Sequence, residues 1–229
     1  GINSENELEE LDISRDGNIL LLGNENVGIR NFIYYFVCSL FIKVNISNYE
    51  FILYDETGSF SPLSIFRSNC DNNVLEFCNK VIEEIDEKNQ IIKKRELQNI
   101  DEYNKVQEVD NNHKLRRKFI IFNYPKCDNN KVLEDKLMYI MQMGRLCGVS
   151  LIIISRDIAR LGSIIISLMK VKLCFKLNDV KDSINILNDT SANYLDNKGE
   201  VIYCNKDKQI RLQTPFISRN EIDRIVKAF

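Results

Sequence analysis

Along this chain, short runs of apolar residues alternate with longer stretches in which apolar positions return every three or four residues. The first rhythm marks strands buried on both faces, and the second marks helices packed on one side. Ile19–Leu22 is wholly apolar and predicts a buried strand. From Val27 to about Val44 apolar residues fall nearly all round a helix, as expected where one side meets a sheet and the other is covered. Phe51–Tyr54 predicts the next strand, ending at Asp55, and Glu56 to Pro62 is rich in turn formers. Val74, Phe77, Val81, Ile85 and Ile92 carry helical spacing over Val74 to about Leu97. A polar stretch, Gln107 to Lys114, leads to a strand at Phe119–Phe122, and a helix over Val132–Cys147 feeds a strand at Leu151–Ile154 after Gly148. A short helix around Leu161–Met169 precedes a strand at Val171–Leu177. Past Asp182 the pattern changes: Val201–Tyr203 and Gln209–Leu212 predict a hairpin. A last helix opens with Ser218-Arg-Asn-Glu221, a capping box in which Ser and Glu satisfy each other's backbone donors. Strand and helix signals in alternation argue for an α/β domain with a mainly parallel sheet. Residues 1 to 17, polar and acidic, read as a linker, and 18 to 229 as the domain.

Composition narrows the classes. At 229 residues the chain is long enough for one large domain with a full core. A formal net charge of -2 gives no overall pull towards nucleic acid or an anionic membrane, and a nucleic-acid partner is not expected. The seven cysteines include no C-x-x-C pair and read as reduced thiols of a cytosolic protein. Cys127, in a loop, is the one thiol placed for reactivity, with an ordinary loop residue the simpler reading. The only histidine, His113, has no cysteine near it, so zinc is not expected. The most apolar stretch, Phe32 to Ile42, falls well short of the roughly 18 residues that span a bilayer. The chain opens Gly-Ile-Asn-Ser-Glu, which is no signal peptide, and a start on Gly suggests an excerpt from something longer.

One segment carries the chemistry. Strand Ile19–Leu22 runs into Gly23, four residues pass (Asn24, Glu25, Asn26, Val27), and Gly28 opens a helix, which is the G-x-x-x-x-G spacing of a phosphate-binding loop. The next two positions of such a loop are a Lys that reaches the outer phosphates and a Ser or Thr that holds magnesium. Here they are Ile29 and Arg30. Isoleucine cannot neutralise phosphate, and a guanidinium has no lone pair for a metal. A plain strand-to-helix turn with two glycines remains the alternative. Arg30 could still reach a phosphate, and the helix N-terminus offers N–H groups to an anion, while Glu25 opposes one by repulsion.

With the elements placed, the order of several local strings resembles the FtsK/SpoIIIE superfamily of RecA-like motors, and within it the ATPase modules of the EssC/EccC coupling proteins of type VII secretion. Asp16-Gly-Asn-Ile-Leu-Leu-Leu-Gly23 is similar to the approach of such modules to the phosphate loop, and Phe51-Ile-Leu-Tyr-Asp55 with Leu63 to their second strand and turn. Asn99-Ile-Asp-Glu-Tyr-Asn104 resembles the string before the Walker B strand, and Gly144-Arg-Leu-Cys-Gly-Val-Ser-Leu151 the string before the next strand. Asp182-Ser183 with Leu187, Gly199 to Tyr203, and Gln213-Thr-Pro-Phe-Ile217 follow in the family's order. The resemblance covers about residues 16 to 229. It implies a RecA-like P-loop NTPase fold, a mainly parallel sheet flanked by helices, with a small C-terminal hairpin and helix.

Departures from the family matter more than the matches. Phe119-Ile-Ile-Phe-Asn-Tyr-Pro125 stands where Walker B ends in Asp-Glu, and carries Asn123 and Tyr124 in their place. The family's acids organise magnesium and polarise the attacking water; an amide and a phenol do neither at pH 7. The family's Thr-Gln at the γ-phosphate falls on Ser155-Arg156. No catalytic residue is therefore assigned. The implied function is a degenerate ATPase module of a secretion coupling protein, recognising substrates or regulating a partner module, with no cofactor expected beyond weak ATP held without hydrolysis. Ile29, Val27 and Tyr124 are expected to make the vacated pocket apolar and suited to a peptide. The partners implied are secretion substrates or their signal peptides and adjacent ATPase modules of the same parent chain, in a possible hexamer within a cytoplasmic, membrane-anchored machine. Arg145 is the candidate inter-module contact, a structural ion pair being the plainer reading, as a solvated turn is for His113 to Lys118. The alternatives are a DNA-translocating motor and a regulator that binds nucleotide without cleaving it.

Overall fold

The computed structural model describes residues 1–11, 17–43, 46–67, 73–109, 113–125, 130–206 and 208–228. Cys127 and Asp16 lie outside the described residues. In chain order the elements are β1 (Ile19–Leu22), α1 (Ile29–Lys43), β2 (Tyr49–Tyr54), α2 (Val74–Lys94), α3 (Ile100–Val109), β3 (Arg117–Asn123) and α4 (Asn130–Gly144). They continue with β4 (Val149–Ser155), α5 (Ser163–Leu168), β5 (Val171–Cys174), α6 (Val180–Leu187), β6 (Glu200–Cys204), β7 (Gln209–Gln213) and α7 (Arg219–Lys227).

The strands form one sheet in the order β2-β3-β4-β1-β5-β6-β7. The first five are parallel, and β6 and β7 run antiparallel as the C-terminal hairpin. β1 sits in the middle, which is why all four of its residues are apolar and at most 1% exposed. Successive side chains alternate between two cores. Leu20, Leu22, Ile120, Phe122, Leu151 and Ile153 pack with Phe77, Val81 and Ile85 of α2 and with Leu133, Leu137 and Ile140 of α4. Ile19, Leu21, Phe51, Leu53, Ile121 and Ile152 pack on the other face with Ile33, Val37 and Phe41 of α1 and Ile222 of α7.

Three expectations change. α1 begins at Ile29, two residues later than the apolar pattern indicated, because Asn26 and Gly28 adopt positive φ (62° and 114°) and belong to the loop. Gln107 is no part of a polar connection: it lies in α3 and is 1% exposed. Residues 180 to 187 form a helix, α6, with the Asp179 side chain accepting from the Lys181 N–H at its start. The closing helix has its capping box as expected, the Ser218 hydroxyl accepting from the Glu221 N–H and the Glu221 carboxylate accepting from the Ser218 N–H. Residues 1–11 lie along the hairpin, where Ile2 and Gln213 exchange backbone hydrogen bonds of 3.0 and 2.8 Å.

Candidate functional site

Loops that follow parallel strands gather at the carboxyl edge of a sheet, and a cleft forms where the strand order reverses. Here that edge brings together the ends of β1, β3 and β4 and the N-terminus of α1. The cleft measures about 240 Å³ and is lined by Asn24, Glu25, Asn26, Val27, Gly28, Ile29, Arg30, Asn31, Tyr34, Phe60, Asn123, Ile154, Arg156 and Lys198.

The loop from Gly23 to Gly28 is held from below. A Cβ on Gly23 would come within 2.7 Å of the Phe175 Cβ, and one on Gly28 within 2.7 Å of the Gly199 backbone nitrogen. Both glycines are therefore obligatory by close approach. The Gly199 N–H donates to the Val27 carbonyl (2.8 Å), and the Asn24 N–H to the Lys176 carbonyl (3.1 Å), tying the loop to the segments after β5 and before β6. Ile29 is 8% exposed, and its Cδ1 lies beneath Gly23, so it fills the space under the loop with methyl groups. Arg30, by contrast, is exposed at the cleft and makes no ion pair among the described residues.

The ends of β2 and β3 form a closed polar unit. Asp55 is 4% exposed, and its carboxylate accepts from the Thr57 N–H (3.1 Å), the Thr57 hydroxyl (2.7 Å), the Phe60 N–H (3.0 Å) and the Asn123 amide (2.8 Å). Burial alone would raise its pKa. The hydrogen bonds from Asn123, Thr57 and Phe60 outweigh burial and hold the carboxyl below its ordinary value. Three of these donors, the Thr57 N–H and hydroxyl and the Asn123 amide, converge on Oδ1, and the Phe60 N–H meets Oδ2. Asn123, which the resemblance sets at Walker B, is thus a donor, and an acid there would meet Asp55 as a like charge.

The remaining candidates separate. Tyr124 does not face the cleft: its ring packs edge-on against Phe122, within the core on the α2 side of the sheet. Of the three residues expected to make the cleft apolar, Val27 and Ile29 line it and Tyr124 does not; Tyr34, Phe60 and Ile154 join them, beside the polar and charged side chains of the loop, Asn123, Arg156 and Lys198. Ser155 is buried, its hydroxyl donating to the Asp157 carbonyl (3.0 Å). Arg156 reaches the cleft and pairs with Glu25 at 2.6 Å, so the carboxylate expected to repel an anion is engaged by a cation. Arg145 lies at the opposite, amino edge of the sheet, beside Asn18 and Lys170. Lys198 escaped the sequence reading; the only local signal was the neighbouring Gly199, already part of a matched string. Among the described residues no group of three His, Cys, Asp or Glu side chains could hold a metal ion, and no helix is long and apolar enough to cross a membrane.

No family model and no curated protein matches the chain. Solved structures do. The cytoplasmic domain of the Thermomonospora curvata type VII secretion ATPase EccC superposes with a TM-score of 0.83 at 14% identity, covering 99% of this chain and 30% of that one. A structure of EccC ATPases 2 and 3 in complex with a signal sequence peptide gives 0.73 at 16% identity, over 95% of this chain and 43% of that one. ATPases 2 and 3 of EssC from Geobacillus thermodenitrificans give 0.77 at 17% identity, over 94% of this chain and 44% of that one. The pCW3 conjugation coupling protein TcpA, solved with ATPγS, gives 0.79 at 16% identity, over 95% of this chain and 66% of that one. The fold is therefore the RecA-like P-loop fold of these ATPase domains, and the chain spans only part of each of those proteins.

Proposed function

We propose that the chain is a catalytically degenerate ATPase module of a type VII secretion coupling protein. It recognises secretion substrates, or regulates a catalytic module of the same parent chain, by docking. The observation that carries this reading is the Asn123 amide donating to the Asp55 carboxylate where the metal-organising acid of a working site would stand. Ile29 beneath the loop and Tyr124 in the core remove the phosphate-binding Lys and the water-polarising Glu in the same structure. Losing one preorganised electrostatic group commonly costs about 10²–10³ in rate, so losing several leaves no motor.

The likeness to EccC, solved elsewhere with a signal sequence peptide, supports a peptide ligand. The cleft is mixed, with Val27, Ile29, Phe60 and Ile154 beside Arg30, Arg156 and Lys198. Exposed Ile42, with Ile217 and Ile225 between α1 and α7, offers an apolar surface away from it. In this reading the module works on the cytoplasmic side of a membrane-anchored machine.

The test is phosphate release and calorimetry on the purified chain, with Mg-ATP and with candidate signal peptides. Peptide binding without phosphate release is the expected result. DNA-stimulated release would establish a translocating motor of the conjugation kind, and steady release without DNA would sink the degenerate reading.

A further inference from the structure

The cleft keeps a charge pattern that loss of metal chemistry does not account for. Three cationic side chains reach it from separate segments: Arg30 in the first turn of α1, Arg156 after β4, and Lys198 before β6. The single lining carboxylate, Glu25, is already held by Arg156 at 2.6 Å. Among the described residues Arg30 and Lys198 make no ion pair. The amino end of α1 presents its free N–H groups to the same space. On the loop, the Asn24 side-chain amide nitrogen is shut off from solvent and has no acceptor among the described residues. Cations converging on a concave site repel one another until an anion joins them.

Resting on the reading that this site no longer organises magnesium, the geometry points to a metal-free oligophosphate as the ligand of the cleft. Its phosphate chain is held by Arg30, Lys198 and the amino end of α1, and Arg156 passes from Glu25 to the phosphates. A volume of about 240 Å³ admits a phosphate tail and leaves any attached nucleoside outside.

The role of magnesium then inverts. In a working site the metal bridges phosphates to protein acids. Here Asp55 is a lone carboxylate whose Oδ1 carries three donors, Asn123 is neutral, and no cluster among the described residues could hold the ion. Magnesium only removes charge from the ligand, so it weakens binding.

The experiment measures affinity and thermal shift on the whole chain with sodium tripolyphosphate and with ATP, in EDTA and in excess magnesium. Both ligands bind in EDTA, and excess magnesium weakens each about tenfold, the worth of one charge-assisted contact. Arg30→Met and Lys198→Met, at exposed positions, each weaken metal-free binding by a similar factor. Glu25→Gln frees Arg156 and tightens it about two- to fivefold. Arg145→Met with Lys170→Met, in the cleft at the opposite edge, leaves it unchanged. No binding in EDTA, tighter binding with magnesium, ATP binding without tripolyphosphate, or an equal loss in the far-edge variant each overturn the inference. Magnesium-dependent binding with phosphate release would also remove the degenerate reading. The same binding without release, or peptide binding with no anion binding, would remove this inference alone.

Discussion

At the scale of single residues, Asp55 and Asn123 make a matched pair whose logic runs against catalysis. The buried carboxylate is stable because every donor near it points at it, and the amide at 2.8 Å is one of those donors. Asn123→Asp replaces that donor with a like charge, which raises the pKa of one of the two acids. The expected cost is about 2 kcal/mol or more at pH 7, read as a lower denaturation midpoint. The deficit shrinks as pH falls and one carboxyl takes up the proton. The parent protein shows the opposite trend. Because the folded Asp55 pKa is lowered, its contribution is fully present above the unfolded value of about 3.9 and is lost as pH falls through the folded value. Denaturation curves at pH 7 and pH 3 on both proteins check the two signs together, and a deficit that grows in acid would contradict them. A second residue-level contrast concerns the loop glycines. Gly17 and Gly28 both have positive φ, but a Cβ meets nothing within 4 Å at Gly17 and the Gly199 backbone at Gly28. Gly28→Ala therefore destabilises more than Gly17→Ala, by about 1 kcal/mol or more, and thermal unfolding of the two variants measures the steric part alone.

Among the elements, what could be read in advance depended on how local the cause was. β1, β3 and β4 were legible because burial on both faces leaves uninterrupted apolar runs, and the hairpin and the capping box of α7 because turn and cap chemistry are local. α6 was not read as a helix: Val180 to Leu187 is short and half polar, and its Asp179 cap is a single residue's signal. The glycine spacing of the loop was legible, but the crowding at Gly23 comes from Phe175, which follows β5, a neighbour of β1 in the sheet that is remote in sequence. Tyr124 is more instructive. Period-two alternation puts Ile120, Phe122 and Tyr124 on one face of β3 and its extension, and Ile121 and Asn123 on the other. The pattern that identified the strand already separated Tyr124 from Asn123, and motif matching obscured it. Arg145 follows the same logic, since it lies between the end of α4 and the start of a parallel strand, at the edge away from the site. The last helix offers a direct check: Ser218→Ala removes both the hydroxyl acceptor and its contact with Glu221, and costs about 1 kcal/mol. A melting temperature unchanged by that substitution would show that packing of Ile222, not the cap, holds α7 in place.

At the scale of the whole molecule, the proposed reading has a P-loop fold keep its loop scaffold while other side chains occupy the positions of its chemistry. The two glycines are retained because Phe175 and Gly199 leave no room for a side chain, a reason independent of nucleotide. In the proposed reading, the Lys position is the core residue Ile29, the metal-acid position is Asn123, a donor to Asp55, and the next position, Tyr124, packs against Phe122. These changes lie in three different environments, so repairing one does not repair the others. Ile29→Lys with Arg30→Thr would rebuild the loop motif and supply an ammonium beneath the phosphates. It would leave Asp55 held by its donors and no acid at the end of β3 to organise magnesium or polarise water. Phosphate release from Mg-ATP by that double variant should therefore stay at the buffer background, even where calorimetry shows tighter nucleotide binding. Adding Asn123→Asp does not complete the site, because the new acid faces Asp55, and Tyr124→Glu would drive a charge into the core beside Phe122. Sustained turnover by the double variant would mean that an acid outside the β3 terminus activates water, and the account of Asn123 given above would have to be abandoned.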